Sequence, residues 1–442
     1  MQHSIKLFFK YVSLNMLGML GISFYILADT LFIAQALGPN GIAALNLSIP
    51  AFGIIHGFGL MLGLGGATRY SILIARDKTP QARRVYSQTF LFALGMGLLF
   101  MLVGRLGANP LARALGADAE TFEMTSVYLR TILTFAPFFV INNMLLSFVR
   151  NDGDPSLAMY GMVIGSVLNV ILDYIFIFPM QMGMFGASLA TSVSPIISLG
   201  ILSIHFFRPT NQLKLTIQKI EGWVIRDVTY LGASAFINEL SASVVMFAFN
   251  TLIFRLEGNN GLAAYGIIAN ISFVVMSLFA GVAQGAQPLL SDSYGQSNLK
   301  QMKQVLFLSL LTTLVLSLSV YGGTVAFHEQ IIAVFNSEQN AHITVMATYG
   351  LFIYFIGFIF AGMNTILTSY FGATDQPNRA LLFSLLRGGL IIIPLAIVLS
   401  YFFEMNGVWA SYVLTEAIIL IIVASIINPN KRIKKRRRKK LS

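Results

Sequence analysis

Twelve separate stretches of this chain are apolar over lengths that match the hydrocarbon core of a bilayer. They fall near 11–36, 42–68, 86–108, 122–148, 158–179, 184–207, 228–255, 261–290, 304–327, 343–371, 380–402 and 407–428. About 20 consecutive apolar residues make a helix that crosses the ~30 Å core. In lipid each backbone N–H and C=O must be satisfied within its own segment, which leaves helices as the spanning structure for runs of this kind. Charged residues make up only 11% of the chain, against about a quarter in a soluble domain. The apolar stretch after Lys10 is longer than the core of a secretory signal and reads as the first span.

Basic residues collect in alternate loops: Arg76, Lys78, Arg83 and Arg84; then Arg208, Lys214, Lys219 and Arg226; then Lys300 and Lys303. Nine more lie between Lys431 and Lys440, whereas the opposite loops hold chiefly Arg105, Arg113 and Arg255. This asymmetry places both termini in the cytoplasm, in a multi-pass protein of the inner (plasma) membrane. Directly after a span, the basic tail is expected to sit on anionic lipid headgroups and not on nucleic acid.

The chain repeats itself with a shift of 220 to 222 positions. Asp29-Thr30-Leu31 falls on Asn250-Thr251-Leu252, and Gly41-Ile42-Ala43-Ala44 on Gly261-Leu262-Ala263-Ala264. Tyr128 falls on Tyr349, Asn143 on Asn364, Pro155 on Pro377 and Gly186 on Gly407. The expected fold is therefore an all-α integral membrane protein of twelve helices. Its two six-helix lobes are related by a pseudo-two-fold axis along the membrane normal. The N-terminal lobe spans 1–207, a cytoplasmic linker 208–227, the C-terminal lobe 228–428 and the basic tail 429–442. Two lobes meeting at a cleft suit alternating access in a transporter, whereas channels favour symmetric rings around a filter. An enzyme is not expected: no DDxxD or HxxxxD occurs, the chain has no Cys, and its five His show no metal-ligand spacing.

Acids at bilayer depth cost about 2.5–3.5 kcal/mol on insertion scales and invite a functional reading. Asp29 lies inside FYILADTLFIA, and Asp173 inside LNVILDYIFIF with Asn169 one turn earlier on the same face. Thr191, in the next span, is placed to join them. Two carboxylates with amide and hydroxyl oxygens suit a shared proton or a hard monovalent cation, because two neighbouring buried carboxylates do not both ionise cheaply. In the second half Asn250 stands in for Asp29 and Pro394 for Asp173. Glu239, Arg387 and Glu416 lie in apolar runs there, and Arg387 is expected to form a structural ion pair with Glu416 or Glu239.

These residues resemble the multidrug and toxic compound extrusion (MATE) family, over almost the whole chain from Leu7 to Ile427. The resemblance is carried by ADTLFIAQALGPNGIAALNLSIP (28–50), PLLSDSYGQSNLKQMKQ (288–304), NVILDYIFIF with MFGASLATSVS, and NGVWASYVLTE (406–416). It looks closest to the bacterial drug-exporter branch. That implies two bundles in a V that exchange Na⁺ or H⁺ for amphipathic, often cationic, compounds. It also implies an N-lobe cation site at Asp29, Asn169, Asp173 and Thr191, where Na⁺ would be the metal if one binds. No cofactor beyond that coupling ion and no catalytic residue is expected, and the protein is expected to be a monomer. The tenth span has no acid, Glu239 comes about one turn before the seventh-span glutamate of some members, and the prolines usual early in spans one and seven are replaced by SLNML and LGASA. The alternative is a flippase for lipid or lipid-linked saccharide of the same superfamily. Such a cleft would be strongly basic, whereas away from the span ends the reading finds Arg387 and Arg130, with Arg69 at the edge of its run.

Overall fold

The computed structural model describes residues 2–216, 219–335 and 340–426, with side chains from Ser4 onward. The basic tail at 429–442 lies outside the described residues. Among those residues the chain is helical and contains no strand. Seven helices are long and apolar enough to cross a membrane, and two further crossings are bent pairs. Three of the seven contain a non-helical residue with φ between 50° and 63°: Gly38, Gly258 or Glu404. Dividing them there gives twelve spans.

In chain order these are α1 (2–37), α2 (39–74), α3 (Thr79–Ala114), α4 (122–151), α5 (Pro155–Ile177) and α6 (Gly183–Ser203). The second set is α7 (222–257), α8 (259–295), α9 (Leu299–Ala326), α10 (341–373), α11 (377–403) and α12 (405–426). A short helix, His328–Phe335, precedes α10.

The repeat seen in sequence recurs in the backbone. Gly38 (φ 63°, ψ −157°) turns α1 into α2, and Gly258 (φ 57°, ψ −142°) turns α7 into α8. One residue reverses the chain at each place, in a conformation that costs a side chain about 1–3 kcal/mol and glycine almost nothing. The corresponding spans α4 and α10 are both broken, by 52° and 45°. In α4 the break precedes Pro137, which has no N–H for the helix ladder. The halves part company at α11. Its repeat partner α5 is regular, but α11 carries a π-helical segment, Leu386–Leu390, with Gly389 at φ 154°.

One core fills the first lobe and another the second. A third joins Phe8, Tyr11 and Val12 of α1 to Val282, Ala286 and Leu290 of α8. Lipid tails are as apolar as leucine, so small residues that let backbones touch do much of the work of helix association. A Cβ on Gly285 would lie 2.8 Å from Val12 Cα, and one on Gly281 2.8 Å from Met16 Cα. Between α2 and α7, a Cβ on Gly232 would lie 1.9 Å from Met61 O and one on Gly65 2.1 Å from Val228 O. Farther from the basic loops the same seam loosens: Gly57 would meet Phe236 at 2.9 Å and Gly53 only Ser243 at 3.8 Å. The lobes are closed on the side of the basic loops and diverge toward the other.

The linker between the lobes is shorter than its polar sequence suggests. The helix of α7 starts at Gly222, so the stretch 222–227 is helical. The preceding segment is strapped to the first lobe: Thr216 N donates to Ser87 Oγ at 2.8 Å, and Gln88 Nε2 to Lys219 O at 2.9 Å.

Candidate functional site

Small residues bring α1, α5 and α6 together around the buried acids. A Cβ on Gly21 of α1 would rest 3.5 Å from Ser166 Oγ of α5, and Ser194 Oγ of α6 donates to Gly165 O at 2.9 Å. These contacts hold Asp29, Asn169, Asp173 and Thr191 within one lobe, each 6% exposed or less. In the amide orientation that satisfies both neighbours, Asn169 donates to Asp173 Oδ2 at 3.0 Å. It accepts from Thr191 N at 3.2 Å. Asp29 lies close enough to Asp173 for its charge to bear on the Asp173 carboxyl. Among the described residues Asp29 Oδ1 and Asp173 Oδ1 accept no hydrogen bond, which leaves two acceptor oxygens aimed at nothing in the protein.

Three contributors were missed in the sequence. Tyr25 and Tyr128 lie within electrostatic range of both acids, and Tyr128 is beside Thr191. Tyr25 sits four residues before Asp29, a spacing that could have revealed it; Tyr128 is on α4 and has no local signal. The third is Pro195, inside α6. Proline has no N–H to give the carbonyl four residues earlier, so the backbone oxygen of Thr191 is released from the helix ladder at the level of the site. Carboxylates, an amide, hydroxyls and a freed carbonyl make a hard oxygen set. Such a set suits a proton or a small alkali cation.

The second lobe is built differently. Arg387 Nε donates to Glu416 Oε1 at 3.0 Å, and Asn364 Nδ2 donates to Glu416 Oε2 at 2.7 Å. The Arg387 and Glu416 side chains are 11% and 5% exposed. Of the two partners that sequence left open for Arg387, the structure uses Glu416. Glu239 points the other way and meets His56 of the first lobe at 3.4 Å, because α7 lies along α2 and turns Glu239 toward the seam.

The closed side of the seam is polar. Arg69 of α2 pairs with Asp227 at the start of α7, and with Asp375 in the α10–α11 loop at 2.9 Å. Arg150, 2% exposed, donates to Asn15 at 2.6 Å and to Gln284 at 3.3 Å. Gln287 Nε2 donates to Thr68 at 2.7 Å, and Asn15 Nδ2 to Gly281 O at 3.0 Å. Arg150 is a buried arginine that the sequence reading left out of the spans. Hydropathy ended that run at 148, but the helix continues to Asn151.

A sequence model of the MatE family matches residues 15–175 and 235–398, one segment in each lobe. The chain belongs to the MatE family. It is a multi-pass membrane transporter and not an enzyme. It is 27% identical over 414 residues to the multidrug export protein MepA of Staphylococcus saprophyticus, covering 93% of this chain and 91% of that protein. MepA of Staphylococcus aureus is 26% identical over the same coverage. Among solved structures, a MATE protein in complex with MaL6 superposes with a TM-score of 0.90 at 24% identity, over 95% of this chain and 94% of that one. An outward-facing MATE family multidrug resistance transporter gives 0.89 at 23% identity over the same shares. These likenesses establish the twelve-helix, two-lobe MATE fold for this chain.

Proposed function

We propose that this MATE protein is a secondary active multidrug exporter, driving amphipathic cations out of the cell in exchange for Na⁺ or H⁺. The family relatives named as multidrug export proteins support the cargo class. The coupling half of the reading rests on one observation, the buried Asp29–Asp173 pair with unsatisfied oxygens inside the first lobe. The conformation, shut at the basic loops and parted opposite them, is the outward-open end of an alternating-access cycle. In that state the pair takes up a cation from outside. Neutralising the acids removes their mutual repulsion, so a loaded site permits rearrangements that an empty one resists. The basic-loop face is cytoplasmic in this reading, and the protein works as a monomer in the inner membrane.

No observation favours the flippase alternative. At the floor of the cleft the ionic contact is Glu239 with His56, whereas a pyrophosphate would require arginine or lysine there. The deciding experiment is export of a cationic dye from vesicles under Na⁺ and pH gradients imposed separately. Export driven by one of them is expected, and dye movement indifferent to both would overturn the proposal.

A further inference from the structure

Glu239 and His56 form a polar contact across α2 and α7 at the level where that seam begins to part. Toward the basic loops Gly232 and Gly65 press on the facing backbone; beyond Gly57 the helices separate. His56 lies near the middle of α2, so the pair sits on the cleft floor at about mid-membrane.

The face of α2 that carries His56 can be read from its neighbours. Phe52, His56, Gly59 and Gly63 share one helical stripe. A Cβ on Gly59 would lie 2.8 Å from Asn143 Cβ of α4, and one on Gly63 2.8 Å from Ser147 Oγ. Phe52 stacks on the His56 ring at 5.8 Å and meets Phe139 of α4 edge-on at 5.5 Å. The inner end of α4 reaches α8 of the other lobe through Arg150 and Asn151. Gly59 and Gly63 of this stripe thus pack on α4 inside the first lobe, while Gly53 and Gly57 of the adjoining face meet Ser243, Phe236 and Glu239 of α7, so His56 stands at the edge where the first lobe faces the seam.

A carboxylate at this depth needs a positive partner. Among the described residues the ion-pair partner of Glu239 is His56, which is positive only when protonated. The side chains are 37% and 28% exposed, so both are reachable from the cleft. We propose that Glu239, His56 and Phe52 form a recognition subsite for a monovalent organic cation carrying aromatic groups. Glu239 neutralises the cation, Phe52 adds an aromatic ring beside it, and protonated His56 competes for the carboxylate. Proton and substrate then exclude each other on the cleft floor, at a place separate from Asp29 and Asp173. The proposal rests on the exporter reading and deepens it.

The test uses the full-length protein in lipid nanodiscs with tetraphenylphosphonium as probe. That cation has no titratable group, so any pH dependence belongs to the protein. Equilibrium binding is measured between about pH 5.5 and pH 8, the range in which histidine ordinarily changes charge. Wild-type affinity should rise with pH. Glu239→Gln should weaken binding about tenfold at the upper end and flatten the profile. His56→Gln should bind at the lower end as tightly as at the upper. Wild-type affinity in Glu239→Gln, or a wild-type pH profile in His56→Gln, overturns the subsite; should Glu239→Gln aggregate, His56→Gln alone decides. The exporter reading fails separately, through dye movement that ignores both gradients while probe binding still depends on Glu239.

Discussion

Arg387 and Glu416 face each other across α11 and α12 with Nη2 and Oε1 3.0 Å apart. They lie in the lobe where the internal repeat replaces Asp29 and Asp173 by Asn250 and Pro394. Among the described residues the first lobe keeps two carboxylates with no fixed cation beside them, and the second pairs its buried Glu416 with Arg387. A site that has to bind and release a cation needs the first arrangement, and a fixed ion pair resembles a structural brace.

Breaking that brace leaves a buried guanidinium without a counter-charge. Glu416→Gln is expected to cost about 3–5 kcal/mol, whereas replacing the pair together by Arg387→Met and Glu416→Leu should cost much less. Thermal unfolding of the purified variants measures this. Equal midpoints for Glu416→Gln and wild type would show that the pair carries no stability.

Asp29→Asn and Asp173→Asn keep size and hydrogen-bonding capacity but remove the negative charge. Each is expected to abolish gradient-driven dye export while leaving expression and monodispersity near wild type. Wild-type export from either variant at normal expression would refute the assignment of the coupling site to this pair.

Pro195→Ala restores an N–H opposite the Thr191 carbonyl. Engaging that oxygen in the helix ladder should weaken the cation site several-fold, on the scale of about 1 kcal/mol for one hydrogen bond. Export measured against the concentration of the driving ion should shift to higher half-saturation, with little change in maximal rate. An unchanged half-saturation means that this carbonyl does not touch the ion.

Gly232→Val places a side chain where even a Cβ would lie 1.9 Å from Met61 O. The seam cannot close around it, so the lobes should part at the basic-loop side and approach each other at the opposite one. The chain has no Cys, so spin labels on cysteines introduced in pairs across the lobes report the distances directly. Wild-type distance distributions at both ends would contradict the close-packed seam.

Periodicity and charge made much of this legible. The twelve apolar runs coincide with twelve helices because the backbone must satisfy itself locally in lipid, a constraint written residue by residue. The offset of 220 to 222 reappears as the paired breaks at Gly38 and Gly258, and it located the lobes. Asp29 and Asp173 stood out because acids are scarce at that depth, Asn169 by its spacing of one turn from Asp173, and Thr191 by its place in the next span. Tyr128 did not, since it is an ordinary aromatic in an apolar helix until α4 is packed against α6.

The sequence by itself determined the helices, their number, the two related halves and the unequal distribution of buried acids, since each depends on hydropathy, spacing or identity along the chain. Tertiary structure alone decided that Arg387 takes Glu416 and that Glu239 turns across the seam to His56. It also decided that Arg150 is held by Asn15 and Gln284. Those partners lie 29 to 183 positions apart in sequence, and pairing at such separations is fixed by which helix faces meet. In lipid, where apolar surface does not discriminate between faces, that choice falls to close contacts such as Gly232 on Met61 and Gly285 on Val12.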